Sequence, residues 1–225
     1  MADGIAIIPA RMGSKGVQGK NWKKLGDKSL IQYSIDAFRQ SQINFELLIS
    51  TDDDKIMDIA SENEVNIHVR SEKTASDKAS MFEVIQEIFE SVKRVPNKFL
   101  LLQPTSPFRS PENISHALKL FDNDINAIVA MKKVDQYPIL MFSKSKSGQV
   151  IPYLNPETYR RRQDVTQYYY PTGSIYLLKT SVFLEEKTFY PSNSKIMEVS
   201  QREAFEIDTI WDWKIAEKIL ETNLS

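Results

Sequence analysis

The sequence predicts an α/β fold in which a mostly parallel sheet is flanked by helices. Two observations carry that prediction: short apolar runs recur along the chain, and the stretches between them have helical period. The runs are IAIIP at 5–9, FELLIS at 45–50, KFLLLQ at 98–103 and NAIVAM at 126–131, each suited to a buried strand. The clearest helix lies between Asp77 and Lys93, where Phe82, Ile85, Ile88, Phe89 and Val92 recur on one face and are expected in the core. Another begins at Ser110-Pro111, since proline is tolerated in a first helical turn, with Ile114, Ala117, Leu118 and Phe121 as its inward stripe. From about 138 to 172 the pattern changes. ILMFS and VIPYL are interrupted by proline and by SKSKSG, then lead into YRRRQDVTQYYYPTGS, which reads as an excursion from the main sheet. The amphipathic stretch IWDWKIAEKIL follows Asp208-Thr209, and a single domain over 1–225 is the expected organisation.

Composition narrows the chemistry. Twenty-nine basic against thirty acidic residues leave a formal charge of −1, so no global field favours nucleic acid or an acidic membrane, and any anion site is local. The absence of cysteine excludes disulfides, zinc-thiolate sites and thiol catalysis. MADGIAIIPA has no charged leader followed by a long apolar run, and nowhere do eighteen apolar residues occur together; a cytoplasmic protein without a membrane segment is expected. Three consecutive arginines at 160–162 beside Tyr159, Tyr168, Tyr169 and Tyr170 suit carboxylate clamps and interface anchors, and the rival reading is a patch that stacks RNA bases. Without a wider basic surface, no nucleic-acid partner is expected.

Chemistry concentrates in three short stretches. IIPARMGSKGVQGKN at 7–21 joins the first strand to a loop in which Arg11, Lys15 and Lys20 are threaded by Gly13, Gly16 and Gly19. Glycines let the backbone turn tightly and bring its N–H groups to an anion, while the cations supply charge, so the loop reads as a polyphosphate cradle. Neither a Walker loop nor a GxGxxG dinucleotide fingerprint is present, and the plainer alternative is a solvated basic turn. LLQPTSPFR at 101–109 places Gln103 and two hydroxyls at the carboxyl edge of a parallel sheet, where α/β proteins bind ligands. In FEID, Glu206 and Asp208 are two residues apart; on an extended segment both carboxylates reach one Mg2+ that also holds phosphate. The alternative for Asp208 is a cap for the helix that follows.

These motifs, in this order, resemble the CMP-sialic acid synthetase family, the acylneuraminate cytidylyltransferases, including legionaminate- and pseudaminate-type members. IPARMGSKGVQGKN is similar to the family's opening signature, LLQPTSPFR to its second, and FEIDTIWDWKIAE to its acidic metal motif. The resemblance implies a Rossmann-like fold of the nucleotide-diphospho-sugar transferase type. It further implies transfer of CMP from CTP, with Mg2+, to the anomeric hydroxyl of a nine-carbon α-keto acid sugar. The open alternatives are another sugar acceptor or a nucleotide-binding module that has lost catalysis.

The residues carried over are Arg11, Ser14, Lys15, Lys20 and Asn21 for CTP. Arg11, Lys15 and Lys20 compensate transition-state charge together with Asp208, and Asn21 contacts the base or ribose. TASDKAS at 74–80 is similar to a cytosine-contacting segment, making Ser80 a base reader and Asp77 a weaker one; the alternative is a helix cap. Gln103, Arg162 (or Arg161) and Gln163 are expected on the sugar, Asp208 and Glu206 on the metal, and Arg109 either faces substrate or braces its loop. The segment at 138–172 is expected to form a small protruding dimerisation element that closes the sugar pocket of a homodimer partner. Two departures stand out: Glu206 occupies a position where the family has aspartate, and Thr172 in PTGSIY replaces an asparagine, which bears on sugar identity. His68 and His116 have no expected role.

Overall fold

The structure, a computed structural model, describes residues 3–13, 16–154 and 166–222. In chain order its first half contains β1 (Gly4–Pro9), β2 (Lys24–Leu25), β3 (Lys28–Ser29), α1 (Leu30–Ser41), β4 (Phe45–Thr51), α2 (Asp54–Glu62), β5 (Asn66–Val69), α3 (Glu72–Ala75) and α4 (Met81–Ser91). The second half contains β6 (Lys98–Leu101), α5 (Pro111–Leu120), β7 (Ala127–Lys133), β8 (Phe142–Lys144), β9 (Val150–Pro152), β10 (Tyr169–Lys179), α6 (Thr180–Glu186), β11 (Ser194–Glu198) and α7 (Ile210–Thr222).

Seven strands form one sheet in the order β11-β7-β10-β6-β1-β4-β5. All pairings are parallel except those of β10, which is antiparallel to both β6 and β7. Every residue of β1 is buried, because helices cover both faces of the sheet. Alternate strand residues therefore enter two different cores. Ala6 and Ile8 pack with Leu100, Ile128 and helical Ile31, Ile35, Ile56 and Ile114 on one face. Ile5 and Ile7 pack with Phe99, Leu101 and Val129 against Ile85, Ile88 and Phe89 of α4 and Phe183 of α6 on the other. A third cluster of Val17, Leu25, Leu30, Ile207, Trp213 and Ala216 fastens α7 onto the loop that follows β1.

The four apolar runs are β1, β4, β6 and β7, as expected, and the mostly parallel α/β class holds. The helix expected over 77–93 is shorter, because Ser80 begins it with a reciprocal capping box to Glu83 and Val92 ends it. Ile85, Ile88 and Phe89 are buried, whereas Phe82 and Val92 pack at the margin of the core. In the second helix Ile114 and Ala117 are buried, with Leu118 and Phe121 at the edge. The excursion after residue 138 contains a separate hairpin of β8 and β9 that is not part of the main sheet. It ends sooner than 172, since Tyr169 already pairs with Lys133 in β10. No helix among the described residues is long and apolar enough to cross a membrane.

Candidate active site

The chain runs from β1 outward to β4 and β5, then returns to β6 on the other side of β1. Such a reversal, at the carboxyl ends of the strands, is the standard ligand position in open α/β sheets. Arg11 and Met12, Lys20, Asp52 after β4, Arg70 after β5, Gln103 after β6 and the FEID segment come together there.

The loop is held from both sides. Arg11 pairs with Asp77, and the backbone N–H of Met12 donates to Asp52 Oδ1 at 2.8 Å. Asn21 is buried and its side-chain amide donates to the Arg11 carbonyl at 3.1 Å, so it braces the loop from beneath. Lys20 reaches across to the C-terminal segment, donating to the Ile207 carbonyl at 2.8 Å and Asp208 Oδ1 at 3.0 Å. Two glycines permit this arrangement. Gly19 has φ of +62° with the Trp22 ring where a Cβ would project, and a Cβ on Gly16 would collide with the Asp208 carbonyl. Ser14 and Lys15 lie outside the described residues.

Asp208 is free for chemistry because its neighbours do the capping. Thr209 Oγ1 accepts from the Asp212 N–H at 3.2 Å, while Asp212 Oδ2 accepts from the N–H groups of Thr209 and Asp208 at 2.8 and 3.1 Å. Burial alone would raise the Asp212 carboxyl, but the Thr209 hydroxyl and those N–H groups hold it below its ordinary value. The Asp208 side chain, 71% exposed, pairs with Lys20.

Glu206 is placed differently. Its Oε1 accepts the Gly173 N–H at 2.9 Å. Burial raises its carboxyl above the ordinary value, opposed by that N–H and reinforced by Asp208, while Lys132 and Lys20 lower it. The two carboxylates are therefore not equivalent: the longer Glu206 side chain is engaged by the β10 backbone, and Asp208 projects toward the cradle. Among the described residues no group of three or more His, Cys, Asp or Glu could enclose a metal. A single projecting carboxylate beside a phosphate cradle fits Mg2+, which keeps waters and takes one or two carboxylates plus substrate phosphates.

Gln103 and Glu206 meet at Gly173. A Cβ there would lie 2.6 Å from Gln103 Oε1, 2.6 Å from Glu206 Oε1 and 3.1 Å from Ser106 Oγ, so a larger residue would displace these side-chain ends. The Gln103 N–H donates to the Gly173 carbonyl at 3.1 Å, and the Ile207 N–H to the Thr105 carbonyl at 2.8 Å. The result is a wall rich in acceptor oxygens, suited to hydroxyl and amide donors. Thr172 stands outside it, buried, with its hydroxyl on the Ala130 carbonyl at 3.2 Å and Ser174 Oγ at 2.7 Å. The Thr172 hydroxyl is thus engaged within the sheet.

Ser80 caps α4, its hydroxyl accepting from Glu83 N–H at 3.2 Å, and Asp77 serves Arg11. Arg161, Arg162 and Gln163 lie outside the described residues. Arg109 braces backbone carbonyls rather than acidic groups. His116 is on the exposed side of α5. His68 is buried, with Nδ1 3.2 Å from Ser50 Oγ and Nε2 3.4 Å from Glu87 Oε1.

Two residues that sequence reading missed lie beside the loop that follows β1. Asp52 ties β4 to the loop, and Arg70 is buried, donating to Ser50 Oγ at 3.1 Å and the Thr74 carbonyl at 3.4 Å. Burial lowers the Arg70 pKa to about 10; Asp52 acts against this and Arg11 with it, which puts Arg70 beside the cradle. The available signal was its position directly after the strand-like NIHV.

A loop carrying Arg11 and Lys20 at the reversal point of an open α/β sheet, with a projecting aspartate opposite and a wall of acceptor oxygens beside it, is an arrangement compatible with nucleotidyl transfer. The chain belongs to the cytidylyltransferase family, whose pattern it matches over residues 5–224. It is 34% identical over 230 residues to the CMP-N,N'-diacetyllegionaminic acid synthase of Legionella pneumophila, covering 97% of each chain. It is 30% identical to the N-acylneuraminate cytidylyltransferase of Streptococcus agalactiae serotype V over 91% of its own length but only 50% of that protein's. With the pseudaminic acid cytidylyltransferase of Campylobacter jejuni serotype O:2 it shares 28% identity over 97% of each chain. The fold matches a CMP:2-keto-3-deoxy-manno-octonic acid synthetase complexed with CTP at TM-score 0.74, with 17% identity, covering 99% of this chain and all of the other.

Proposed function

We propose that this chain transfers CMP from CTP to the anomeric hydroxyl of a sialic-acid-like nine-carbon α-keto acid sugar, releasing pyrophosphate. The observation that carries the reading is the meeting of Lys20 and Asp208, 3.0 Å apart, next to the Gln103–Gly173–Glu206 wall. Arg11 and Lys20, joined by Lys15 of the same loop, neutralise the triphosphate. Their present partners Asp77 and Asp208 give the cations fixed positions before substrate arrives, which is the preorganisation that phosphoryl chemistry rewards. The acceptor binds against the wall, where Gln103 Oε1 and Glu206 Oε1 take its donors and direct its anomeric oxygen at the α-phosphate. His68 is engaged by Ser50 and Glu87 and His116 lies on the exposed side of α5, so the hydroxyl proton passes to water or a nearby carboxylate, and alignment with charge compensation lowers the barrier.

Mg2+ would be held by Asp208 together with CTP phosphates, with Glu206 in a supporting position, and supplies charge neutralisation when bound. The reading extends to a homodimer in a cytoplasmic setting. Phe142, Val150, Ile151 and Tyr153 on and beside the β8–β9 hairpin are 58, 72, 46 and 70% exposed, an apolar surface that suits a second copy.

The test is product identification by mass spectrometry after incubation with CTP, Mg2+ and each of N-acetylneuraminate, a legionaminate, a pseudaminate and an eight-carbon α-keto acid. A CMP conjugate of a nine-carbon acid supports the reading and names the acceptor. CTP binding without any conjugate rejects it.

A further inference from the structure

We infer that Arg109 is a positioning residue for the acceptor side of the site, its guanidinium fixing the wall of Gln103, Gly173 and Glu206 without touching substrate. The inference rests on the acceptor reading of that wall.

The need for such a residue arises from a break in β10. Pro171 lies opposite Met131 and Tyr176 opposite Val129, so four residues of β10, 172–175, face the single Ala130 of β7. A bulge of this size carries the backbone away from the β7 ladder, although the Gly173 carbonyl still accepts the Gln103 N–H on the β6 side at 3.1 Å. Gly173 is in that bulge. It is also the point where Gln103 and Glu206 converge, so the least regular part of the sheet carries the part of the site that demands the closest tolerance.

Arg109 adds donors to this segment and to the turn beside it. Its Nε donates to the Ser174 carbonyl, Nη2 to the Gly173 carbonyl at 3.5 Å and to the Gln103 carbonyl at 2.7 Å, and Nη1 to Ser34 Oγ of α1 at 2.9 Å. One planar group thus joins the bulge, the end of β6 and a covering helix. The side chain is 4% exposed, and its hydrogen-bond partners are these carbonyls and one hydroxyl, none of them a carboxylate. Burial lowers its pKa to about 9, which leaves it charged near neutral pH. A buried charge without a counter-ion is costly unless its hydrogen bonds are well made, and charge-assisted bonds to carbonyls are among the stronger ones. Lysine cannot reproduce the fork, because a point ammonium on a flexible stem does not serve three directions in one plane.

The test compares wild type with Arg109→Lys and the milder Ser34→Ala, which removes one of the four bonds. Amide hydrogen exchange needs no substrate and comes first. Faster exchange in peptides spanning 172–175 and 102–107, with 45–60 unchanged, is expected; unchanged exchange at 172–175 in both variants overturns the inference. Steady-state kinetics follow. The acceptor KM is expected to rise about tenfold or more in Arg109→Lys and less in Ser34→Ala, because small displacements of a positioning group are expensive, while CTP affinity stays within about twofold. Equal losses for CTP and acceptor, or an unchanged acceptor KM in a variant that exchanges faster, overturn it. If Arg109→Lys does not fold, Ser34→Ala decides by the same criteria. If wild type conjugates no acid, the acceptor reading fails by itself, and exchange alone decides whether Arg109 fixes the bulge.

Discussion

At the scale of single residues, Asp208 and Glu206 illustrate how one methylene redistributes labour. Two carboxylates at i and i+2 read equally as ligands in the sequence, but the longer one is bound to the Gly173 N–H and the shorter faces Lys20. Asp208→Ala is therefore expected to lower kcat by about 10²–10³-fold, the range for removing one preorganised charge-stabilising group, while CTP binding by calorimetry weakens far less. Gly173→Ala tests the wall: with its Cβ 2.6 Å from the Gln103 and Glu206 side-chain oxygens, both ends must shift, so the acceptor KM rises while Tm of the CTP-bound protein barely changes. An alanine variant with wild-type acceptor KM would show that Gln103 and Glu206 do not act together. For Ser80, the capping box gives a structural role, so Ser80→Ala is expected to cost about 1 kcal/mol in urea unfolding. A large rise in CTP KM beyond that loss would restore the base-reading role.

Among elements, β4, β5 and α4 are linked by a chain from Arg70 through Ser50 and His68 to Glu87. Burial holds the His68 pKa below its ordinary value of 6.5, with Glu87 opposing and Arg70 reinforcing the shift. Below about pH 6.5 the unfolded chain consequently binds a proton that the native state resists, so His68 makes stability fall as pH drops through 6.5 toward the native value. Above 6.5 the penalty is absent. His68→Gln should flatten that part of the Tm–pH curve, and an equally steep curve in the variant would locate the dependence elsewhere.

The same elements show what could be read in advance. β1, β4, β6 and β7 were legible because burial on both faces makes them continuously apolar. β10 was not read as one long strand, since Pro171 and Gly173 punctuate it, yet those residues mark the bulge that builds the wall. The start of α4 was misplaced although S-x-x-E at Ser80–Glu83 announced the cap, because helical period continues past the point where Asp77 is claimed by Arg11. Arg70 and Asp52 were invisible as site residues: their role follows from which strands lie beside β1, and a local pattern does not encode that.

For the whole molecule, the sheet places Asp52 and Arg70 on the β4–β5 side of β1 and Gln103 and Gly173 on the β6–β10 side, which the proposed function assigns to nucleotide and acceptor respectively. The hairpin stands outside this arrangement with its apolar residues exposed, so Phe142→Asp with Ile151→Lys is expected to convert a dimer to a monomer in sedimentation, with a rise in acceptor KM. A wild-type monomer would contradict that extension while leaving the transfer reaction intact. The central claim is tested most directly by pyrophosphate release from CTP and Mg2+ in the presence of a nine-carbon α-keto acid sugar, comparing wild type with Asp208→Ala. Release that depends on the acid and is lost in the variant is the predicted result; release independent of the acid, or undiminished in Asp208→Ala, would contradict the account.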